Sequence, residues 1–494
     1  MTEWVKPDLN SDNFARAVNA IYQHAEKQLN VEKLVETYVH TDLASRAMTP
    51  DSQLVLGRRG TGKTHMFRVL EEKLGGKGEV THYIDCRLLG SGLISLTEKP
   101  EQVAQKYFRT LLNDIGTYMF DKAINMEMPP ADLQQNALGA IIHGFATQME
   151  PSLTEEIIKP TFNYRQIYES LRAILADLRI DHLFIIIDEW AQIPIPAQPY
   201  VAEYLKRAIM TIPEVCIKLL AVNYQYQLSK QSDGEIIGIH VGADITNILD
   251  CDSYLIYDEN PDLVTGFFSE VLYNHLGVEL HWDLAVTPEE KAKRILDIFT
   301  QKSSFIELVR AAEGNCRDFL CIFSKAFWEG YRQQGVTRAI SIPHIHDAAS
   351  SWFDYAKYVN IRYDIDSNKA LIFIINYLIK GYKSRTFMVE ASKAQSPVLI
   401  RLLNERVLHK LSGFYSHKDR TGERYELFNI DYGVYVRFIK TKGTVNESPQ
   451  GAFPFMSDVP KPPLDKQEFM VPRDDKRSIR RIVFDPDVLK VTTW

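Results

Sequence analysis

The chain has 494 residues, too long for one ordinary hydrophobic core, so two or three domains are expected. Its 45% hydrophobic and 24% charged residues are those of a folded protein, and a net charge of −7 gives no chain-wide reason to bind nucleic acid, leaving only a local basic patch open. Five scattered cysteines with no C-x-x-C pair imply neither a zinc site nor a disulfide framework. The polar N-terminus lacks a signal-peptide core and the apolar runs are too short to span a bilayer, so a cytoplasmic chain with no membrane association is expected.

In chain order, residues 1–50 read as a helical segment, with helix from about Asn13 to His40 and a polar loop at Thr49–Ser52. Gln53–Leu56 reads as a short strand, followed by a helix with Met66, Phe67, Leu70 and Leu74 on one face and Gly75-Gly76 at its end. A second strand is expected at His82–Cys86. Residues 98–180 read as a helical insertion, with one apolar stripe through Val103, Tyr107, Leu111, Ile115 and Tyr118 and another through Leu138, Ile141, Ile142 and Phe145, broken at Met128-Pro129-Pro130. Buried strands are expected at Leu183–Ile187, Cys216–Val222 and Tyr254–Tyr257. Their apolar character suits a parallel sheet covered on both faces, in an α/β layer architecture spanning 51–260. A smaller all-α domain follows over 261–350.

Residues 351–440 change character. Helices are expected at Ala370–Tyr382 and Val398–Leu411, then strands at Gly413–His417 and Arg424–Ile430 joined by a turn containing Gly422. Residues 441–494 carry Pro454, Pro460, Pro462, Pro463 and Pro472 with a basic cluster at Arg473, Lys476, Arg477, Arg480 and Arg481, and read as an extended tail.

Two pieces carry chemistry. Gly57-Arg58-Arg59-Gly60-Thr61-Gly62-Lys63-Thr64 matches the phosphate-loop pattern G-x-x-x-x-G-K-[ST] without a mismatch, between a strand and a helix as that pattern requires. Its backbone N–H groups, through His65, are the candidates to surround phosphates at a helix N-terminus. Lys63 is placed to reach the β and γ phosphates, and Thr64 to put its hydroxyl on Mg2+. The second piece is the run Leu183–Ile187 ending in Asp188-Glu189. A carboxylate at the C-terminal end of a buried strand lies where open α/β sheets bind ligands. Asp188 is the candidate metal-side carboxylate, and Glu189 the candidate to polarise an attacking water. Asn223, ending the next strand, fits a γ-phosphate sensor or an ordinary turn residue. Arg317, in Gly314-Asn315-Cys316-Arg317-Asp318, fits a second sensor or an ion pair with Asp318 or Glu313.

This order of motifs resembles the AAA+ ATPases, and within them the origin-recognition and initiator branch with its bacterial relatives. Gly-Asn-Cys-Arg-Asp is similar to that branch's Gly-Asn-Pro-Arg-Asp, with Cys316 in place of Pro. The resemblance covers about residues 30–440. It implies a P-loop NTPase fold whose all-α domain is a lid, ATP with Mg2+ as cofactors, and residues near Leu34–Val39 closing over adenine. It also implies a homo-oligomer, or a partner ATPase, sharing an arginine finger, for which Arg207 is the candidate.

The helix–helix–hairpin order of 351–440 resembles a winged helix. From Lys380 to Lys442 there are thirteen Lys or Arg against six Asp or Glu, a local +7. Lys393, Arg401, Arg406 and Lys410, on or before the second helix, and Lys418, Arg420 and Arg424 at the wing are the candidate contacts to double-stranded DNA. Winged helices also dock proteins. The expected function is therefore an ATP-hydrolysing AAA+ switch or loader on DNA. The alternative is a signalling or anti-phage defence ATPase whose insertion or tail meets a protein partner.

Overall fold

The computed structural model describes residues 4–26, 30–73, 78–89, 98–125, 162–232, 234–335, 339–378, 384–411, 415–417, 420–440 and 482–488. The second insertion stripe, the Gly75-Gly76 stop, Lys418 and the basic tail cluster lie outside them. The chain divides into two compact units: residues 40–59 with 63–251, and residues 1–39 with 60–62 and 252–494. Among the described residues no helix is long and apolar enough to cross a membrane.

The first of these units is built on a five-stranded parallel sheet. Its strands are β1 (Gln53–Leu56), β2 (Glu79–Asp85), β3 (His182–Asp188), β4 (Val215–Ala221) and β7 (Asn247–Asp250), in the order β2-β3-β4-β1-β7. Strands β1 and β4 are buried along their whole length, so both faces of the central sheet are covered and their sequences are largely apolar without alternation, apart from the buried Gln53 and Lys218. Helices α4 (Lys63–Lys73), α5 (Pro100–Asn125), α6 (Tyr164–Asp177) and α7 (Gln198–Ala208) supply the cover. Phe108, Leu111, Ile115 and Met119 of α5 join Leu183, Ile185 and Ile187 of β3 in one core.

Two expectations fail here. Tyr254–Tyr257 is not a strand: Cys251–Tyr254 forms a four-residue helix (α8), and the edge strand is the preceding Asn247–Asp250. That edge strand is short and bounded by Asn and Asp, so it has no apolar run to read. A hairpin of β5 (Ser229–Ser232) and β6 (Glu235–Gly238) was not expected, because its residues are largely polar and only partly buried. It is held at its end by Gly238, where φ is +106° and a Cβ would stand 2.1 Å from the Leu228 carbonyl oxygen.

The other unit, which also holds the short helix α2 (Val31–Thr37), has two parts; the short helix α3 (Asp42–Ala47) precedes β1 in the first unit. Helices α1 (Asp12–Glu26), α9 (Pro261–Leu280), α10 (Pro288–Ile295), α11 (Lys302–Ala312), α12 (Cys316–Gln334) and α13 (Ile342–Trp352) bury an aromatic-rich core that includes Phe14, Phe268, Phe305, Phe319 and Phe323. The C-terminal module has α14 (Ile365–Ile375), β8 (Thr386–Glu390), α15 (Pro397–Asn404), β9 (Leu408–Lys410), β10 (Tyr415–His417) and β11 (Arg420–Ile430). Strand β11 pairs with β8, β9 and β10. The hairpin is where it was expected. The helix expected to run to Leu411 stops at Asn404, because Arg406 takes φ +58° and turns the chain into β9. A final helix, α16 (Tyr432–Lys440), returns to the helical core; Gly433 lies so near α13 that a Cβ there would sit 2.4 Å from the Ala349 carbonyl oxygen.

Candidate functional site

The phosphate loop leaves the sheet directly after β1, where Gly57 N–H donates to the Ala221 carbonyl of β4 at 3.2 Å. Lys63 is the first residue of α4, so the helix's first-turn N–H groups have no intrahelical acceptors and its dipole favours an anion there. The buried Lys63 ammonium donates to the Gly57 carbonyl and, at 3.1 Å, to that of Arg58.

The carboxylate of Asp188, at the end of β3, has three donors. Thr64 Oγ1 donates to Oδ2 at 2.6 Å, the Tyr83 hydroxyl donates to the same oxygen, and Glu189 N–H donates to Oδ1 at 2.7 Å. Burial first, then the charge of Asp188, pushes the Tyr83 phenol well above its ordinary range, so it stays protonated and remains a donor. Arg68 stacks over its ring, 3.5 Å from the centroid. Tyr83 was missed in sequence. Its contact with Asp188 follows from β2 lying beside β3 in the sheet, with Tyr83 opposite Ile186. Glu189 has φ +54° and ψ +40°, a left-handed conformation that turns it off the strand, and its Oε2 lies 3.7 Å from Arg59 Nη2.

Two hard oxygens, Thr64 Oγ1 and Asp188 Oδ2, thus face each other beside the loop, and they suit Mg2+, which takes one or two protein oxygens and completes its octahedron with water and phosphate. Among the described residues no group of three His, Cys, Asp or Glu is gathered as for an all-protein metal cage. The donor set fits the metal expected at this site.

Residues Gly60–Gly62 group with the helical unit. There Arg317 N–H, at the start of α12, donates to the Gly60 carbonyl at 3.1 Å. Asn315 caps α12 by accepting from Asp318 N–H at 3.1 Å, so the helix begins cleanly without the Pro that Cys316 replaces. Asp318 turns inward, 2.9 Å from Lys357 and 3.3 Å from Arg406, and Glu313 lies 2.7 Å from Arg385.

Asn223 follows β4 by two residues. Arg207, in the last turn of α7, pairs with Glu203 and lies over the Tyr164 ring. Of the candidate DNA contacts, Arg401 lies on α15 with Glu405 at 3.0 Å, Lys410 is in β9 with Glu426 at 3.0 Å, and Arg424 is exposed on β11. Arg420 opens β11, its side chain outside the described residues. Arg406 follows α15, and its side chain, 13% exposed, lies 3.3 Å from the buried Asp318. Lys393 precedes α15 and is engaged by Asp485 and Asp487, at 2.8 and 2.9 Å.

No family model and no curated protein sequence matches the chain. Among solved structures, it is similar to the Aeropyrum pernix Orc1 protein in complex with DNA, at 13% identity and TM-score 0.32, covering 88% of this chain and 96% of that one. It is similar to Drosophila ORC bound to DNA at 13% identity and TM-score 0.32, covering 85% and 98%, and to C. elegans PCH-2 at 11% and 0.24, covering 67% and 66%. The phosphate loop after β1, β1 and β4 adjacent at the sheet's centre, and Asp188-Glu189 after β3 give this chain an α/β parallel-sheet fold of the P-loop type.

Proposed function

We propose that the chain binds and hydrolyses ATP, and that its nucleotide state governs its hold on double-stranded DNA through the C-terminal module. The approach of Thr64 to Asp188, with the Lys63 ammonium folded back on the carbonyls of Gly57 and Arg58 in the loop, carries the nucleotide half. Lys63 and the loop N–H groups bind and orient the β and γ phosphates. Mg2+, held by Thr64 and through water by Asp188, would supply charge neutralisation on the phosphate oxygens. Glu189 accepts the proton of the attacking water, and its turn off the strand sets its carboxylate beside the loop's own Arg59 rather than along β3. Asn223 and Arg317 are the proposed sensors. Arg207 is the proposed finger toward a neighbouring subunit, in a homo-oligomer or a mixed one.

The DNA half rests on the local +7 of residues 380–442, which leaves −14 on the rest of the chain. Arg401, Lys410, Lys418, Arg420 and Arg424 are the proposed contacts. The test is ATP turnover with no DNA, single-stranded DNA and double-stranded DNA, alongside mass in solution with ATP. Turnover raised by duplex supports the reading; no turnover under any condition overturns the hydrolytic half.

A second reading makes the chain a signalling or defence ATPase controlled by a protein. The engagement of Lys393 by Asp485 and Asp487 favours it, since a basic residue beside the second helix of the module is already occupied by acids of the chain itself. Turnover indifferent to DNA and raised by a protein partner would select it.

A further inference from the structure

Strand β8 pairs with β11 along one edge only. On its other edge Val483 forms a parallel bridge with Met388. Met388 N–H donates to the Ile482 carbonyl at 2.8 Å, and Phe484 N–H donates to the Met388 carbonyl at 2.8 Å. The Tyr377 hydroxyl donates to the Val483 carbonyl at 2.7 Å. Strand alternation sends Ile482 and Phe484 to one side, where each is 2% exposed. The Phe484 ring lies 5.9 Å from Phe373, 5.9 Å from Tyr377 and 5.8 Å from Phe387, in a pocket of aromatic side chains. Beyond it, Asp485 and Asp487 meet Lys393.

Backbone pairing to a sheet edge, alternate side chains in pockets and a charge clamp at one end are the elements of peptide recognition by strand addition. We infer that the β8 edge is a peptide-docking site which the chain closes with its own residues 482–488, and which a partner protein opens by supplying an extended segment of the same chemistry: an apolar residue, an aromatic two positions on, then two acids. The attachment is short: two ladder hydrogen bonds, the Tyr377 hydroxyl on Val483, the buried side chains of Ile482 and Phe484, and surface ion pairs of little strength hold it. The docked segment belongs to the same chain as the edge it covers, so a free peptide competes with an intramolecular one. Docking also decides whether Lys393 is neutralised. The inference does not depend on the nucleotide reading.

The test uses the full chain and a fluorescent peptide of the sequence Ile-Val-Phe-Asp-Pro-Asp-Val, followed by anisotropy. In the Phe484→Ala chain the tethered competitor is weakened, and the peptide should bind at least about ten-fold tighter than to the parental chain. Should Phe484→Ala fail to fold, the paired surface changes Asp485→Lys and Asp487→Lys weaken the tether at exposed positions and should give the same gain. Adding Lys393→Glu to either variant should reverse most of it. Equal affinity for the parental and weakened chains, affinity indifferent to Lys393→Glu, or no binding to any of them would overturn the inference.

Discussion

The hydroxyl of Thr64 donates to Oδ2 of Asp188 at 2.6 Å, joining a residue of the loop helix to one at the end of a strand 124 positions away. Both side chains are hard-oxygen donors at the edge of the phosphate loop. Thr64→Val keeps the shape and removes the hydroxyl. It should weaken nucleotide binding about ten-fold or more at limiting Mg2+, since a hydrogen-bonded charged site loses about 1.5–3 kcal/mol with one partner. A Mg2+ titration at fixed ATP reads this; an unchanged Mg2+ midpoint would show that Thr64 does not face the metal.

Lys63→Ala should abolish nucleotide binding in calorimetry. Glu189→Gln should retain ATP affinity while turnover falls by about 100-fold or more, the usual worth of a positioned base. Parental turnover by the Glu189→Gln chain would move the base elsewhere, whereas lost binding in that chain would mean Glu189 acts on the loop through Arg59.

Gly60 has φ +91°, and a Cβ there would meet Asn315 Oδ1 at 2.5 Å and Arg317 Cβ at 2.8 Å. Gly60→Ala therefore carries both a left-handed backbone cost of about 1–2 kcal/mol and a steric clash with the start of α12. The expected outcome is a lower melting temperature with secondary structure intact. A melt identical to the parent would show that this turn relaxes freely.

Asp318 is fully buried with Lys357, Arg406 and the indole N–H of Trp352, which donates to Oδ1 at 2.9 Å. Burial alone would raise its pKa, but Arg406 and Lys357 overcome this and hold it well below the usual carboxylate range; Asp431 is held down in the same way by Lys357 and His409. A depressed folded pKa means the unfolded chain takes up protons first. The stabilisation is present above the ordinary Asp pKa of about 4 and is lost as pH falls below it. Asp318→Asn leaves two buried cations short of a partner and should cost about 3–5 kcal/mol at neutral pH, with a shallower loss on acidification. Urea unfolding at pH 7 and at about pH 3 measures both effects, and equal midpoints for parent and variant at pH 7 would contradict it.

Charge reversal at Arg401 and Arg424 should lower the slope of log affinity for duplex against log salt by about 0.9 for each phosphate that is no longer neutralised. Arg406→Ala should instead destabilise the fold. No duplex affinity in low salt would remove DNA from the proposal.

The phosphate loop, the Asp188-Glu189 pair and strands β1, β3 and β4 were legible in the sequence because their signals are local. A glycine pattern specifies its own turn, and a strand buried on both faces writes itself as a largely apolar run, with Gln53 and Lys218 the polar exceptions in β1 and β4. The edge strand β7 and the polar hairpin β5–β6 carried no such signal, since an edge strand or a half-exposed one needs no apolar run; β8, buried over its first four residues, carried a short apolar run that was not read as a strand. The roles of Tyr83, Arg406 and Lys393 belong to tertiary structure. Sheet order puts Tyr83 beside Asp188, a turn at Arg406 itself, with φ +58°, accompanies its approach to Asp318, and a segment some ninety residues further along the chain brings two acids to Lys393. A charge count registers a basic residue equally whether it faces solvent or a buried carboxylate; only the path of the folded chain decides which.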